Sequence, residues 1–148
     1  LDDLTDTVFD SVLLHEKGEV LAGKKLGPEW EQMLAGLPHS KTEIMIRAVR
    51  DHLADSLTTL PGLLGNGKDA AVHFYFANLP NMHKNLSPTL VQAYESWVIA
   101  GKRAVIEELV PASQSHWDAL ANQILDIYRK YPDDYAGRLQ TLVEKNKF

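Results

Sequence analysis

A serine followed three residues later by a glutamate, directly ahead of an apolar pattern with a helical period, defines the clearest element of this chain. In Ser40-Lys41-Thr42-Glu43 the serine hydroxyl is placed to accept from a free backbone N–H in the first turn of a helix. Beyond it Met45, Val49, His52, Leu53, Ser56, Leu57 and Leu60 share one face at helical spacing, while Arg47, Arg50 and Asp51 point away. The pattern predicts an amphipathic helix over about 41–58, ended before Pro61-Gly62.

The same punctuation recurs along the chain. Gly27-Pro28-Glu29 opens a short helix through Met33 and Leu34, closed by Gly36 and Pro38. Ser87-Pro88 starts another, apolar over half its circumference through Leu90, Val91, Tyr94, Trp97, Val98, Gly101, Val105 and Leu109, which runs to about Val110 and stops at Pro111. A third, capped by Ser113 or Ser115, aligns Trp117, Leu120, Ala121, Ile124, Ile127, Tyr128 and Tyr131 in one stripe and ends at Tyr131-Pro132. Asp133 or Asp134 then caps a last helix that packs through Tyr135, Leu139, Leu142 and Val143.

Two stretches are ambiguous. Residues 4–14 fit a helix through Leu4, Val8, Val12 and Leu13, yet residues 11–21 also read as a hairpin turning at Lys17-Gly18. Helix followed by loop is favoured, because nothing else in the chain offers a strand partner. Ala70 to Leu79 alternates in part, but a helix with Val72, Tyr75, Phe76 and Leu79 inward fits its surroundings better, after a loop at Gly65-Asn66-Gly67. The expected fold is all-α: one domain over residues 1–148, a bundle or orthogonal array of six to seven helices with short connections.

Composition narrows the function. With no cysteine, thiol nucleophiles, disulfides and thiolate metal sites are excluded. No apolar run is long enough to span a bilayer and no basic segment leads into an apolar stretch, so neither a membrane span nor a signal segment is expected. Leu1 in place of an initiator Met fits a trimmed start, and the expected compartment is the cytoplasm. The formal net charge of -5 is unevenly divided: residues 1–74 carry 7 basic and 12 acidic side chains, residues 75–148 carry 8 of each. Such a surface repels a phosphate backbone, which argues against nucleic acid as a partner.

Motifs for chemistry are scarce. The glycine-rich segment 62–67 lacks both a preceding strand and a following Lys-Ser/Thr, and so reads as a loop and not a phosphate cradle. His39-Ser40 and Ser115-His116 are adjacent pairs, whose side chains diverge at a helix start and make no nucleophile–base couple. Of the six histidines, His52 lies three residues from Asp55 and the two could jointly touch a metal, with Glu43 too far along the same helix. No Glu-x-x-His motif accompanies them, so no metal, no cofactor and no enzymatic activity are expected.

Two functions remain. The first is a regulatory protein-interaction domain, docking on another protein or on a second copy of itself. Its contacts would come from the acidic start, with Asp2, Asp3, Asp6 and Asp10, or from an aromatic face of Tyr128, Tyr131 and Tyr135. The second is a small-molecule-sensing domain with an aromatic pocket near residues 72–83, built from His73, Tyr75, Phe76 and His83.

Overall fold

The computed structural model describes residues 2–67 and 69–148, with side chains for all of these but 2–4 and 7. Among the described residues there are eight helices and no strand. They are α1 (Asp2–Leu26), α2 (Pro28–Ala35), α3 (residues 41–65), α4 (Asp69–Ala77), α5 (Asn81–Leu86), α6 (Pro88–Ala100), α7 (Ala104–Lys130) and α8 (Ala136–Lys145). The all-α class is as expected; the count is eight instead of six to seven, and the helix the periodicity missed is the short α5.

Helix α1 settles the first ambiguity and corrects the loop expected after Leu14, because it continues through Gly18 to Leu26. Gly18 is a crossing point and not a turn. A Cβ there would lie 2.5 Å from both the Ala54 carbonyl and Thr58 Oγ1, and Thr58 Oγ1 donates to the Leu14 carbonyl at 2.6 Å. Only a residue without a side chain lets α1 approach α3 this closely.

Helix α3 begins where the sequence places it, with Ser40 Oγ accepting from Glu43 N at 3.3 Å. It does not end before Pro61. The α-helical Lys41–Ala54 passes into a π-helical turn, Asp55–Thr59, and resumes as Leu60–Gly65. Pro61 falls in the first turn of the resumed segment, where its missing N–H does least harm. Two further stops move in the same way. Helix α6 ends at Ala100, because Gly101 adopts φ 73° and donates to the Trp97 carbonyl at 2.7 Å. Helix α7 then runs straight through Pro111, which is exposed. Ser113, expected as a cap, is buried inside α7 and accepts from Trp117 Nε1 at 3.1 Å. Ser115 is exposed within the same helix. Helix α8 has Tyr135 at its N-cap in place of Asp133 or Asp134, and Asp134 pairs with Arg138 at 3.4 Å.

Two apolar clusters lie along α3. The first joins Trp30, Met33, Met45, Ile46, Val49, Leu53, Trp117, Leu120, Ile124 and Leu139. The second joins Leu60, Leu63, Val72, Phe76, Leu90, Trp97 and Ile106. Full burial of side chains this size stabilises by about 1.5–3 kcal/mol each before the entropy of ordering them is counted. Phe148 packs against both clusters; its N–H donates to the Leu86 carbonyl and its own carbonyl accepts from Thr89 N, both at 2.9 Å. The π-helical turn sits between the clusters in sequence, and α1 packs against it.

Candidate functional site: a polar cleft at the π-helical turn

Where α1, α4 and α5 come together around α3, a cleft of about 280 Å³ opens, lined among others by Ser11, His15, Asp51, Asp55, Thr59 and Tyr75. Helical spacing places its charged groups. His15 and Glu19 are one turn apart on α1, and Asp51 and Asp55 are one turn apart on α3, so each pair occupies one helix face. The crossing at Gly18 brings the two faces together.

Asp55 is the hub. It is buried, and its carboxylate holds two partners: Oδ1 lies 3.0 Å from His15 Nδ1, and Oδ2 accepts from the Tyr75 hydroxyl at 2.9 Å. The second nitrogen of His15, Nε2, is 3.2 Å from Glu19 Oε1. On the other side of the cleft Asp51 Oδ2 is 3.0 Å from His83 Nε2. The His83 carbonyl lies 2.9 Å from Nε2 of the buried His52, whose ring stacks on Trp117 at 4.5 Å and 7°. The polar wall is thereby anchored in the first apolar cluster.

The environment divides the titrating groups. The hydrogen bond to Asp55 holds the His15 imidazolium strongly, and the charges of Asp55, Glu19 and Asp51 add to it; against the opposing effect of burial its pKa rises to about 9. Burial favours the neutral form of His52 and lowers its pKa to about 4. The Tyr75 phenol is pushed well above its ordinary value, first by burial and then by the neighbouring Asp55 charge. Two polar atoms in the wall, Thr59 Oγ1 and His83 Nδ1, are buried and have no hydrogen-bond partner. One ligand-type atom each from His15, Glu19 and Asp51 lies within 4.8 Å of the other two.

The chain matches the model of a family described as "Family of unknown function (DUF6866) C-terminal domain" over residues 1–146. It belongs to that family. Comparison of this DUF6866 C-terminal domain with curated proteins and with solved structures finds no match. Among its described residues no helix is long and apolar enough to cross a membrane.

Of the residues expected in an aromatic pocket, Tyr75 and His83 line the cleft of the DUF6866 domain. His73 and Phe76 do not: His73 stacks on Trp97 at 4.6 Å and lies 2.9 Å from the Tyr94 hydroxyl, and Phe76 is buried against Tyr94. Helix α4 therefore splits its aromatics between the cleft and the second apolar cluster. The expected partner-binding residues are dispersed as well. Asp6 and Asp10 are exposed on α1, while the side chains of Asp2 and Asp3 lie outside the described residues. Tyr135 is buried and donates to the Met33 carbonyl at 2.9 Å. Tyr128 is half-buried edge-on to it at 4.9 Å, and Tyr131 is half-buried beneath the Arg138 guanidinium at 3.7 Å. Of the three, Tyr135 packs internally, whereas Tyr128 and Tyr131 keep part of their rings at the surface.

Sequence reasoning missed His15, Glu19 and Asp51, and gave Asp55 the wrong histidine: it paired Asp55 with His52, whereas the partner is His15, 40 positions earlier. The available signal was the pair of one-turn repeats, His15/Glu19 and Asp51/Asp55, on two amphipathic helices.

Proposed function

We propose that this domain binds a small polar ligand in the cleft at the π-helical turn and acts as a sensing or regulatory module. The observation that supports it is the convergence of His15, Asp51, Asp55, Tyr75 and His83, from four helices, on one open cleft with unpartnered polar atoms in its wall. Two carboxylates in its lining, from Asp51 and Asp55, favour a ligand that presents positive charge or several donors. The reading is non-catalytic: Ser11 lines the same cleft, but both nitrogens of His15 are engaged by Asp55 and Glu19, so His15 has none to spare as base for a serine nucleophile. A chain without cysteine suits a cytoplasmic setting.

The test is a thermal-shift survey of small cationic and amine-bearing compounds against the chain and its Tyr75→Phe variant. A ligand of the cleft raises the midpoint by mass action, and loss of the Tyr75 hydroxyl reduces that rise more than it lowers the midpoint of the free chain. If the two fall together for every compound, Tyr75 serves only to hold the fold.

A protein-interaction role has its own support, from the outer face of α1. Phe9, Val12, Leu13 and Val20 are exposed and lie within roughly 100° of one another around the helix, interrupted by Glu16 and opposite the face that meets α3. We propose this stripe, flanked by Asp6 and Asp10, as the contact with another protein or a second copy. Light scattering of the chain and of a Phe9→Lys variant distinguishes the two: a dimer lost in the variant supports self-association, and a monomer in both directs the search to a different partner.

A further inference from the structure

We propose that the cleft holds a divalent first-row transition-metal ion, with His15 Nε2, Glu19 and Asp51 as its protein ligands. The inference rests on the small-ligand reading of the cleft and names what anchors that ligand.

The donor atoms come first. One atom each from His15, Glu19 and Asp51 lies within 4.8 Å of the others, whereas ligands around an ion with bonds of about 2.0–2.2 Å sit roughly 3–4 Å apart. All three side chains are half-buried; His15 and Asp51 line the cleft and Glu19 lies one turn from His15 on α1, so small rotations close the remaining gap without moving a helix. Glu19 and His15, one turn apart, already meet at 3.2 Å.

The arrangement behind these atoms is what a metal site requires. A histidine that binds a metal through one nitrogen commonly donates its other N–H to a carboxylate, which fixes tautomer and ring orientation. His15 is so arranged: Nδ1 faces the buried Asp55 at 3.0 Å, and Nε2 lies on the side of Glu19, where the ion takes the place of the Nε2 proton, which is released to solvent. Asp55 is itself held by Tyr75, and Asp51 by His83. Each of His15 and Asp51 therefore has an orienting partner drawn from a different helix. The π-helical turn that starts at Asp55 is a form that occurs mostly as a single-turn insertion inside α-helices, frequently at functional sites.

An independent observation points to an occupant. Thr59 lines the same cleft, is 1% exposed, and its Oγ1 has no hydrogen-bond partner. A buried hydroxyl left without a partner costs about 1–3 kcal/mol, and a water or ligand held in the cleft would supply one.

The donor set selects the metal class. One imidazole nitrogen and two carboxylates, with no sulfur, suit Zn²⁺, Mn²⁺ or Fe²⁺ better than the all-oxygen preference of Mg²⁺ and Ca²⁺. Three protein ligands leave positions open toward the cleft, as in metal sites that take a further small molecule.

The experiment is titration calorimetry of the full chain, stripped with a chelator, using Zn²⁺, Mn²⁺, Mg²⁺ and Ca²⁺. The expected result is one Zn²⁺ per chain, weaker Mn²⁺ binding, and no retention of Mg²⁺ or Ca²⁺. Glu19→Gln, which keeps shape and removes a ligand charge, lowers Zn²⁺ affinity at least about tenfold while the midpoint of the metal-free chain is little changed. Should variants fail to fold, Mn²⁺ added to the native chain broadens the imidazole NMR signal of His15 first and most strongly, followed by those of the neighbouring His83 and His52. Zn²⁺ binding indifferent to Glu19→Gln, or Mn²⁺ broadening confined to other histidines, overturns the site. An organic compound that binds the chelator-treated chain at Tyr75, with no metal bound, overturns the metal and keeps the cleft. One Zn²⁺ at His15, with no further molecule recruited, keeps the metal and overturns the small-ligand reading.

Discussion

His15 and Asp55 face each other at 3.0 Å across 40 positions of sequence, one from the first helix and one from the start of a π-helical turn in the third. The pair joins α1 to α3 at the edge of the cleft, and Asp55 also receives the Tyr75 hydroxyl from α4. Three helices thus depend on one buried carboxylate.

Replacing that carboxylate tests the dependence. Asp55→Ala leaves the His15 and Tyr75 donors without their acceptor in a half-buried site, a loss of about 1–3 kcal/mol for each group that water cannot reach. Urea denaturation should show a lower midpoint with an unchanged slope. Asp69→Ala, which removes an exposed partner of Arg103, should cost less than about 1 kcal/mol. Equal losses in the two variants would refute the hub role.

Gly18 and Gly137 make a paired test of backbone approach. Gly18→Ala forces a Cβ to 2.5 Å from the Ala54 carbonyl, so α1 must lift from α3; a loss of about 2 kcal/mol or more is expected, in the range of overpacked interiors. Gly137 lies in α8 with nothing within 4 Å of its Cβ position, and Gly137→Ala should stabilise by about 0.5 kcal/mol. Thermal midpoints moving in the same direction for both would show that the crossing is loose.

Pro111 denies α7 one backbone hydrogen bond while lying exposed in its interior. Pro111→Ala restores the donor, and an increase of about 1 kcal/mol is expected in chemical denaturation, offset in part by a freer unfolded chain. A decrease would mean that the ring's contacts beside Val110 and Pro61 outweigh the missing bond.

Acidity and alkalinity should destabilise the metal-free chain through different histidines. His52 has a folded pKa of about 4, below the unfolded 6.5. Between those values the unfolded chain binds a proton the folded one refuses, so stability falls as pH drops from 6.5 to 4, by about 3 kcal/mol in all. His15 has a folded pKa of about 9; its contribution is complete below pH 6.5 and is lost as pH rises through 9. Midpoints measured from pH 4 to 9 should peak near 6.5, with His52→Gln flattening the acid limb and His15→Gln the alkaline one. A profile unaltered by either variant would assign the dependence elsewhere.

Local signals were legible in the sequence where their chemistry is local. Ser40 as cap, Pro28 and Pro88 as helix starts and the end before Pro132 each depend on a few neighbouring residues, and each is where the pattern places it. Pro61, Pro111 and Gly18 were misread because their meaning is set by what lies across from them or by a change of helical pitch. Gly101, the true end of α6, was hidden within an apolar arc. Tyr75 and His83 stand out in the sequence because aromatic and histidine side chains cluster in that stretch, and both line the cleft. Their carboxylate partners, 20 and 32 positions away, become neighbours only when α1, α4 and α5 close on α3.

The flat contact between His52 and Trp117 gives the molecule an optical reporter of its own. Trp117 is fully buried, and the imidazole against its face is tied to the backbone of His83, whose ring faces Asp51 in the cleft. Were filling of the cleft to shift His83, it would displace the ring that lies on the indole, and protonation of that ring would quench the indole. Emission from Trp117 would then report occupancy and acidity at a distance, with no label attached, and a chain in which Trp30 and Trp97 are replaced by phenylalanine would read both through a single fluorophore.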